Sequence, residues 1–252
     1  MSALDIERVR NARPQNEFHY FPSVGSTMTV AALLVADGAP HNTVVVADEQ
    51  TAGIGRLGRS WISEPSVGVY ASILLRLPLP PAQLPVASLL VGLATAEAIQ
   101  KATQLACDLR WPNDVLIGDR KVAGILPQLV NQCVIAGVGI NVNNTVFPAT
   151  LRTPATSLYL ASGGQWQSRE VVLIRLLQSL DVFAELLMEE GPDAILRAFT
   201  AASSYVVDRR VVTDENGARG VTAGLDEHGF LLLRSEDGQL HRVSSGSVRP
   251  IA

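Results

Sequence analysis

One short segment of the chain, from Thr51 to Trp61, combines backbone freedom with positive charge. Its three glycines allow a sharp turn and a close approach to a ligand, and no acid lies near its two arginines between Glu49 and Glu64. Exposed amides and guanidinium groups together bind anions, and phosphate is the usual anion. The ring of Trp61 is suited to stacking on a base. The glycines and arginines are Gly53, Gly55, Arg56, Gly58 and Arg59.

Taken alone, this loop is also compatible with a surface turn that carries two solvated arginines. It matches neither common phosphate-binding motif. No Gly-Lys-Ser/Thr follows it as in a P-loop, and the residues after Trp61 do not begin a helix as in a Rossmann unit. The loop by itself therefore indicates anion binding without naming the ligand.

Two later segments strengthen the functional interpretation. They are Trp111-Pro112-Asn113-Asp114 and Arg120-Lys121-Val122-Ala123-Gly124-Ile125-Leu126. Together with the loop, with Gly137 to Asn141 and with Ser26-Thr27, this ordered set resembles the biotin protein ligases. Each motif alone is weak, but the set in this order is specific, and the resemblance extends over nearly the whole chain.

The resemblance implies an ATP-dependent ligase. In that family the biotin carboxylate attacks the α-phosphate of ATP, which gives biotinyl-5'-AMP and pyrophosphate, and a lysine of a carrier protein then takes the biotinyl group. The expected acceptor is the biotin carboxyl carrier protein of acetyl-CoA carboxylase, and the expected small molecules are biotin, ATP and Mg²⁺. Because two anions must meet in the first step, cations and backbone donors should carry the chemistry.

The resemblance also implies which residues form the site. Arg56 and Lys121 are the expected catalytic cations, and Asp114 is the expected magnesium ligand, although a turn aspartate can instead cap its own backbone. Trp61 is expected against adenine, while either Trp61 or Trp111 could belong to the core. The residues expected to bind biotin are Ser26, Thr27, Gln50, Gly53, Gly55, Arg56, Lys121, Gly124 and Gly137. Those expected to bind ATP or the adenylate are Arg56, Arg59, Trp61, Asn113, Lys121 and Asn141.

Three positions depart from the family pattern. Ile54 replaces the first arginine of the loop, and Met28 stands where an asparagine usually follows Ser-Thr. These changes remove one cation and one polar group, so we expect weaker biotin binding than in a ligase with the full motifs. Arg110 replaces the lysine before Trp111 and keeps the positive charge.

The composition limits the possible partners. The net charge of −4 argues against a nucleic-acid-binding protein, and residues 1–17 are too few for a DNA-binding domain. We therefore expect the monofunctional type of ligase, without an N-terminal DNA-binding domain. A repressor that uses biotinyl-adenylate as corepressor is disfavoured for the same reasons. The stretch Leu84 to Ala98 is too short and too interrupted to cross a membrane and indicates a buried helix.

The sequence also favours a cytoplasmic protein. No secretory signal is visible at its start, and its two cysteines, Cys107 and Cys133, suggest a reducing compartment. A homodimer is possible, but nothing in the sequence decides the oligomeric state.

The fold expected from pattern and resemblance is α+β. Residues 1–203 should form a mixed β-sheet with flanking helices, as in the biotin–lipoate ligase catalytic fold related to class II aminoacyl-tRNA synthetases. Residues 204–252 should form a small β-barrel, because glycine-ended turns there separate short strands, and the resemblance implies that this barrel is SH3-like. The predicted helices are 28–36, with Ser26 as N-cap, 82–104 and 168–190, and the predicted strands are 43–47, 69–75, 115–117, 121–129 and 133–142.

Two other functions remain open at this point. A lipoate or octanoate protein ligase shares the fold class, but Ser162-Gly163-Gly164 lacks the arginines expected of such an enzyme. A biotinyl-adenylate-binding protein with weak activity is compatible with the loss of one arginine at Ile54. Biotin-dependent exchange between ATP and pyrophosphate separates the active ligase from the binding protein.

Overall fold

The computed structural model describes residues 2–251, and its larger β-sheet has seven strands. They are β1 Phe18–Phe21, β2 Val44–Ala47, β3 Gly68–Leu75, β4 Asp108–Arg110, β5 Asp114–Ile117, β6 Arg120–Val130 and β7 Cys133–Asn141. Their spatial order is β1-β2-β3-β7-β6-β5-β4. Only β1 and β2 pair in parallel, and every other neighbouring pair is antiparallel. The prediction of a mixed sheet is therefore confirmed.

Helices cover both faces of this sheet. They are α1 Ile6–Ala12, α2 Thr27–Ala36, α3 Leu84–Thr103, α4 Leu158–Ala161, α5 Arg169–Glu190 and α6 Pro192–Ala202. Successive strand side chains point to opposite faces, so Val44 and Val46 join the main core, whereas Val45 packs with α2 in a smaller cluster. Because both faces are covered, β2 and β3 are buried along their whole length.

The central helix α3 explains the most apolar part of the sequence. Together with the turn before it, Pro81–Thr103 is long and apolar enough to cross a membrane, so it exceeds the stretch that we expected from Leu84 to Ala98. However, 67% of its most apolar window is buried inside the protein. It packs against β6, α5 and α6, so its apolar character serves the core.

The C-terminal part forms a separate five-stranded antiparallel sheet. Its strands are β8 Val207–Thr213, β9 Arg219–Leu225, β10 Leu231–Arg234, β11 Leu240–Val243 and β12 Val248–Pro250. The turns predicted at Gly217, Gly229 and Gly238 join successive strands from β8 to β11, and all three glycines have positive φ angles. Glycine is favoured there because other residues rarely adopt this conformation. This small β-domain agrees with the predicted SH3-like class.

Several helices and strands were not predicted from the sequence. β1, β4, β12 and α4 are too short to show a clear periodicity, whereas α6 is amphipathic, with Ala194, Ile195 and Phe199 buried, and was not recognised. Gly191-Pro192 ends α5 as predicted, but Pro192 is also the first residue of α6, where a proline costs no hydrogen bond. Ser26 does precede α2, yet its hydroxyl makes no capping hydrogen bond. The predicted domain boundary, between residues 203 and 204, falls in the connection between α6 and β8.

Candidate active site

Two adjoining cavities lie where the glycine–arginine loop meets β6 and β7. The smaller cavity has a volume of about 50 Å³ and the larger cavity about 190 Å³. They share a wall that consists of Gly55, Arg56, Trp61, Asn113 and Lys121. Both of the cations predicted to be catalytic therefore stand between the two cavities.

The smaller cavity gathers most of the residues predicted to bind biotin. Those in its wall are Thr27, Gln50, Gly55, Arg56, Lys121, Gly124 and Gly137. Ser26 and Gly53 do not line it. The hydroxyl of Ser26 is buried without a hydrogen-bond partner, and a side chain at Gly53 would approach the Trp61 carbonyl to 2.5 Å. Gly53 therefore allows the loop to fold back on itself.

A chain of hydrogen bonds fixes the polar end of the smaller cavity. The amide and hydroxyl of Thr27 donate to Gln50 Oε1 at 2.9 and 3.0 Å. Gln50 Nε2 donates to Ser63 Oγ at 2.9 Å, and Ser72 Oγ donates to Thr27 Oγ1 at 2.8 Å. Much of the remaining wall is apolar. Its apolar side chains are Met28, Ile54, Ala71, Ile125, Leu126 and Val138.

The glycines of β6 and β7 leave room for two large side chains. A Cβ atom at Gly124 would lie 2.9 Å from the ring of Trp61, and one at Gly139 would overlap that ring. A Cβ atom at Gly137 would lie 2.6 Å from the sulfur of Met28. These glycines were expected to let a ligand lie close to the backbone. In this structure the side chains of Trp61 and Met28 lie in that space, and Met28 forms part of the cavity wall.

The guanidinium group of Arg56 connects three parts of the chain. It donates to Asn113 Oδ1 at 3.1 Å and to the carbonyl oxygen of Gly246 at 3.0 Å. Gly246 lies between β11 and β12, so the C-terminal domain closes one side of the site. Burial lowers the pKa of Arg56, but a guanidinium group stays charged at neutral pH. Arg56 is therefore a fixed cation in the shared wall.

Asp114 lies between two cations. Its Oδ1 is 2.5 Å from Lys121 Nζ, and its Oδ2 is 2.5 Å from an Arg110 nitrogen. Burial alone would raise the pKa of Asp114, but Lys121 and Arg110 outweigh it and hold that pKa below its ordinary value. Lys121 Nζ also lies 5.3 Å from the centre of the Trp61 ring. This ion triad sets the position of the Lys121 amine.

The fit of the site to magnesium depends on Asp114. Within residues 2–251, no group of three or more His, Cys, Asp or Glu side chains is arranged to hold a metal ion. Magnesium on a nucleotide usually takes one or two protein carboxylates together with phosphates and water. Both oxygens of Asp114 are already paired with cations. The described residues therefore form no complete magnesium site in this arrangement, and the assignment of Asp114 remains a prediction.

The larger cavity gathers all the residues predicted to bind the nucleotide. They are Arg56, Arg59, Trp61, Asn113, Lys121 and Asn141. The amide nitrogens of both asparagines are engaged, since Asn113 donates to the carbonyl of Ile125 at 3.1 Å and Asn141 donates to that of Thr156 at 3.0 Å. Their positions are fixed by the backbone of neighbouring segments.

Trp111 belongs to the core and not to either cavity. Its side chain is only 2% exposed, and its Nε1 donates to the carbonyl oxygen of Gly229 in the C-terminal domain at 2.9 Å. Of the two tryptophans considered for stacking, only Trp61 lies in the site. Trp111 instead joins the two domains.

Sequence reasoning missed one segment of each domain. The additional residues in the larger cavity include Phe147, Leu151, Arg152, Thr153, Gly246 and Ser247. Asp214 organises this side, because its Oδ1 lies 2.7 Å from both Arg152 and Arg249 and its Oδ2 accepts from Ser247 Oγ. Arg152 stands in an irregular segment without a motif, so no sequence signal marks it. The serines and glycine from 244 to 247 indicate only a turn.

The charges of the larger cavity favour an anionic ligand. Among the described residues in its wall, the cations are Arg56, Arg59, Lys121 and Arg152, and the single acid is Asp114. Preorganised cations in a partly enclosed site stabilise negative charge more strongly than they would in water.

Comparison with known proteins finds one family match in the larger part of the chain and one in the C-terminal part. Residues 20–143 match the model of the biotin/lipoate A/B protein ligase family, and residues 210–249 match the biotin protein ligase C terminal domain. The chain is similar to the bifunctional ligase/repressor BirA of Bacillus spizizenii, with 34% identity over 91% of this chain and 72% of that relative. It is also similar to the biotin--[acetyl-CoA-carboxylase] ligase of Mycobacterium tuberculosis, with 33% identity over 89% of this chain and 85% of that relative.

A solved structure matches over nearly the same extent. It is the biotin protein ligase from Aquifex aeolicus in complex with biotin and ATP, with 32% identity and a TM-score of 0.80. The match covers 93% of this chain and 99% of the Aquifex chain. Both domains, and not the larger sheet alone, are therefore shared with that structure.

Proposed function

Because this chain belongs to the biotin/lipoate A/B protein ligase family, we propose that its two cavities join biotin to ATP and then release the product to a carrier protein. The chain is an ATP-dependent biotin protein ligase, which activates biotin as biotinyl-5'-AMP and transfers the biotinyl group to a lysine of a biotin carboxyl carrier protein. The match to the biotin protein ligase C terminal domain favours biotin over lipoate, because it extends the similarity beyond the part of the family shared by both enzymes.

The smaller cavity is proposed to take biotin and the larger cavity the nucleotide. One observation carries this assignment: Arg56 and Lys121 stand in the wall that the two cavities share. A carboxylate reaching out of the smaller cavity and an α-phosphate in the larger one would both meet these cations. Thr27 and Gln50 offer donors and acceptors at the other end, as the ureido ring of biotin requires.

In the first step an oxygen of the biotin carboxylate attacks the α-phosphorus of ATP. A new carbonyl–oxygen–phosphorus link forms, the bond to the β-phosphate breaks, and pyrophosphate leaves. The two reactants repel each other, so the rate depends on positioning and on charge stabilisation. Arg56 and Lys121 would hold the reacting oxygens, while Arg59 and Arg152 supply positive charge to the rest of the nucleotide.

In the second step the acceptor's lysine amine attacks the carbonyl carbon of the mixed anhydride. An amide bond forms, the carbon–oxygen bond to AMP breaks, and the amine loses a proton. The glycine–arginine loop would cover the anhydride until then. The hydrogen bonds from Arg56 to Asn113 and to Gly246 would hold the loop in that position. Covering the anhydride also excludes water, which would otherwise hydrolyse it.

We propose that magnesium binds together with ATP. Asp114 is the carboxylate of the larger cavity that could reach a metal ion carried by ATP phosphates. Such a contact requires Lys121 or Arg110 to release one oxygen of Asp114, and Lys121 would then be free to follow the biotin carboxylate.

The finer partner assignments are also proposals. We propose the carrier protein of acetyl-CoA carboxylase as the acceptor, which is consistent with the name of the Mycobacterium relative. We further propose a cytoplasmic enzyme that does not bind DNA, and a gel-shift assay on promoter DNA tests the second point. Sedimentation of the protein with and without biotin and ATP tests whether a homodimer forms.

The decisive experiment is exchange of labelled pyrophosphate into ATP. The exchange should depend on biotin and should stop when Lys121 is replaced by alanine. Exchange without biotin, or none at all, would contradict the assignment and favour a protein that only binds the adenylate. Addition of a carrier protein then tests the second step separately.

A further inference from the structure

The side chain of Arg110 connects two parts of the proposed site without lining either cavity. It stands on β4, the strand at one edge of the larger sheet, and only 6% of it is exposed. One of its nitrogens, Nη2, lies 2.5 Å from Asp114 Oδ2 and donates to Thr153 Oγ1 at 3.0 Å. Because a terminal guanidinium nitrogen carries two hydrogens, it can serve both acceptors at once. Arg110 therefore bridges Asp114 and Thr153.

Thr153 belongs to an irregular segment that forms part of the wall of the larger cavity. Both Thr153 and its neighbour Arg152 line that cavity. Arg152 pairs with Asp214 of the C-terminal domain at 2.7 Å, whereas Thr153 is bonded to Arg110 of the larger domain. Adjacent residues of one segment are thus held by different domains, and the bond to Arg110 fixes the wall on the side of the larger sheet.

The same segment fixes the backbone of Lys121 but not its amine. Lys121 N donates to the Pro154 carbonyl at 2.8 Å, and Thr156 N donates to the Lys121 carbonyl at 2.9 Å. The amine at the far end of the side chain is held by Asp114 instead, at 2.5 Å. The position of the Lys121 amine therefore depends on the charges around Asp114.

Asp114 has two counter-charges, and the proposed reaction uses one of them. Its side chain is only 8% exposed. For the Lys121 amine to meet the biotin carboxylate, it must turn away from Asp114, and a buried carboxylate left without any counter-charge is strongly unfavourable. Arg110 is the more deeply buried of the two cations and is also held by Thr153. Arg110 is therefore the cation that can stay on Asp114 while Lys121 moves.

Neutralisation of Asp114 alone does not require an arginine. A lysine at position 110 would carry the same charge as a point charge on a shorter side chain. The arginine instead leaves its Nε buried without a hydrogen-bond partner among the described residues, which costs stability. What the guanidinium group adds is the second bond, to Thr153.

We propose that Arg110 is a positioning residue of the ligase: held by Thr153, it keeps a counter-charge on Asp114 while the Lys121 amine turns to the substrate. The bridge also keeps the wall of the larger cavity at a fixed distance from the carboxylate that holds this amine. This inference rests on the proposed function, since that function places ATP in the larger cavity and the biotin carboxylate at Lys121.

Pyrophosphate exchange in the wild type, Arg110→Lys, Thr153→Val and the double variant tests this role. Arg110→Lys keeps the charge but is not expected to reach both acceptors, and Thr153→Val removes the accepting hydroxyl. Each single change should raise KM for ATP and lower kcat by about threefold to tenfold, with KM for biotin within about twofold of the wild type. The double variant should be no worse than the poorer single variant, because both changes break one contact.

Thr156→Val is the matched control. It removes a hydroxyl from the same segment, one that donates to the Ser157 carbonyl at 3.4 Å and lines neither cavity. Urea denaturation establishes that each variant is folded. Four results would overturn the proposal: a Thr153→Val variant like the wild type, effects that multiply in the double variant, an equal rise in KM for biotin, or a Thr156→Val variant as impaired as Thr153→Val.

Calorimetry with α,β-methylene-ATP separates this inference from the proposed function. The analogue cannot release pyrophosphate, so its binding is measured without any reaction, in the presence of biotin. Binding that Arg110→Lys and Thr153→Val each weaken by about threefold to tenfold, in a wild type without biotin-dependent exchange, would refute the proposed function and leave the bridge intact. Normal exchange in the wild type and in both variants would refute the bridge and leave the function intact.

Discussion

The guanidinium group of Arg56 lies 3.0 Å from the carbonyl oxygen of Gly246, although 190 residues separate them in the sequence. One residue belongs to the loop that is proposed to cover the adenylate, and the other to the C-terminal β-domain. Because the same guanidinium also contacts Asn113, the loop is tied to both domains at once. The small domain thus contributes to the proposed site and is not only a cap on the larger sheet.

Replacement of Arg56 by glycine should release the adenylate before transfer. The variant loses the cation and both hydrogen bonds that hold the loop, so we expect biotin on bystander lysines of an added protein such as serum albumin. Arg56→Lys is the control, because it keeps a positive charge and should leak less. A glycine variant that still labels only the carrier protein would contradict the role given to Arg56.

Replacement of Asp214 by asparagine should weaken ATP binding selectively. The change removes the charge that holds Arg152 and Arg249 and weakens the bond to Ser247. Because Arg152 is 44% exposed, we expect a modest rise in KM for ATP of about threefold to tenfold, or about 0.7–1.4 kcal/mol. KM for biotin should change little, and steady-state kinetics with each substrate varied separates the two.

Asp237→Asn is the matched control for that experiment. Asp237 also accepts a hydrogen bond from a serine hydroxyl of the same domain, that of Ser235, but it is exposed and lies outside both cavities. Equal effects of the two substitutions on KM for ATP would show that Asp214 acts only through the stability of the domain.

Replacement of Asp114 by asparagine should destabilise the fold at neutral pH. It leaves Arg110 buried without a counter-charge, and breaking a buried pair costs about 3–5 kcal/mol. The low pKa of Asp114 means that the charged form stabilises the folded state. That contribution is complete above the ordinary carboxyl pKa of about 4 and is lost as the pH falls through the lower, folded-state pKa.

Chemical denaturation at several pH values between 7 and 3 checks this prediction. The difference in unfolding free energy between wild type and Asp114→Asn should be constant near neutrality and should shrink in acid. A difference that stays constant down to pH 3 would indicate that the loss is steric and not electrostatic.

Replacement of Ile54 by arginine should tighten biotin and adenylate binding. It restores the cation that the loop lacks relative to the family motif, and Ile54 is 46% exposed, so the longer side chain has room. One additional charge-assisted hydrogen bond would increase affinity by about tenfold. Isothermal titration calorimetry measures the change, and an affinity equal to or below that of the wild type would show that the missing arginine does not limit binding.

The ordered motifs were enough to recognise the resemblance to the family, and that resemblance predicted the mixed sheet and most of the proposed site. The motifs around Arg56, Asn113 and Lys121 are contiguous, and the long helix α5 has clear helical periodicity, so short windows of sequence reveal them. The turns of the C-terminal domain are similarly local, because glycine marks the positive φ angles that they need. Short elements such as β1 and β4 lack this information and depend on their neighbours.

Tertiary packing decided which residues far apart in the sequence come together, and no short stretch of sequence contains that information. Trp61 and Trp111 each stand in a motif that supports the family resemblance. Trp61 lines both cavities, whereas Trp111 is buried against the C-terminal domain. Gly246 enters the site because that domain docks beside the loop, and Arg152 of the larger domain is paired there with Asp214. Sequence alone determined which groups could do the chemistry. The docking of two domains decided which of them meet, since contacts between residues far apart in the chain depend on packing and not on spacing.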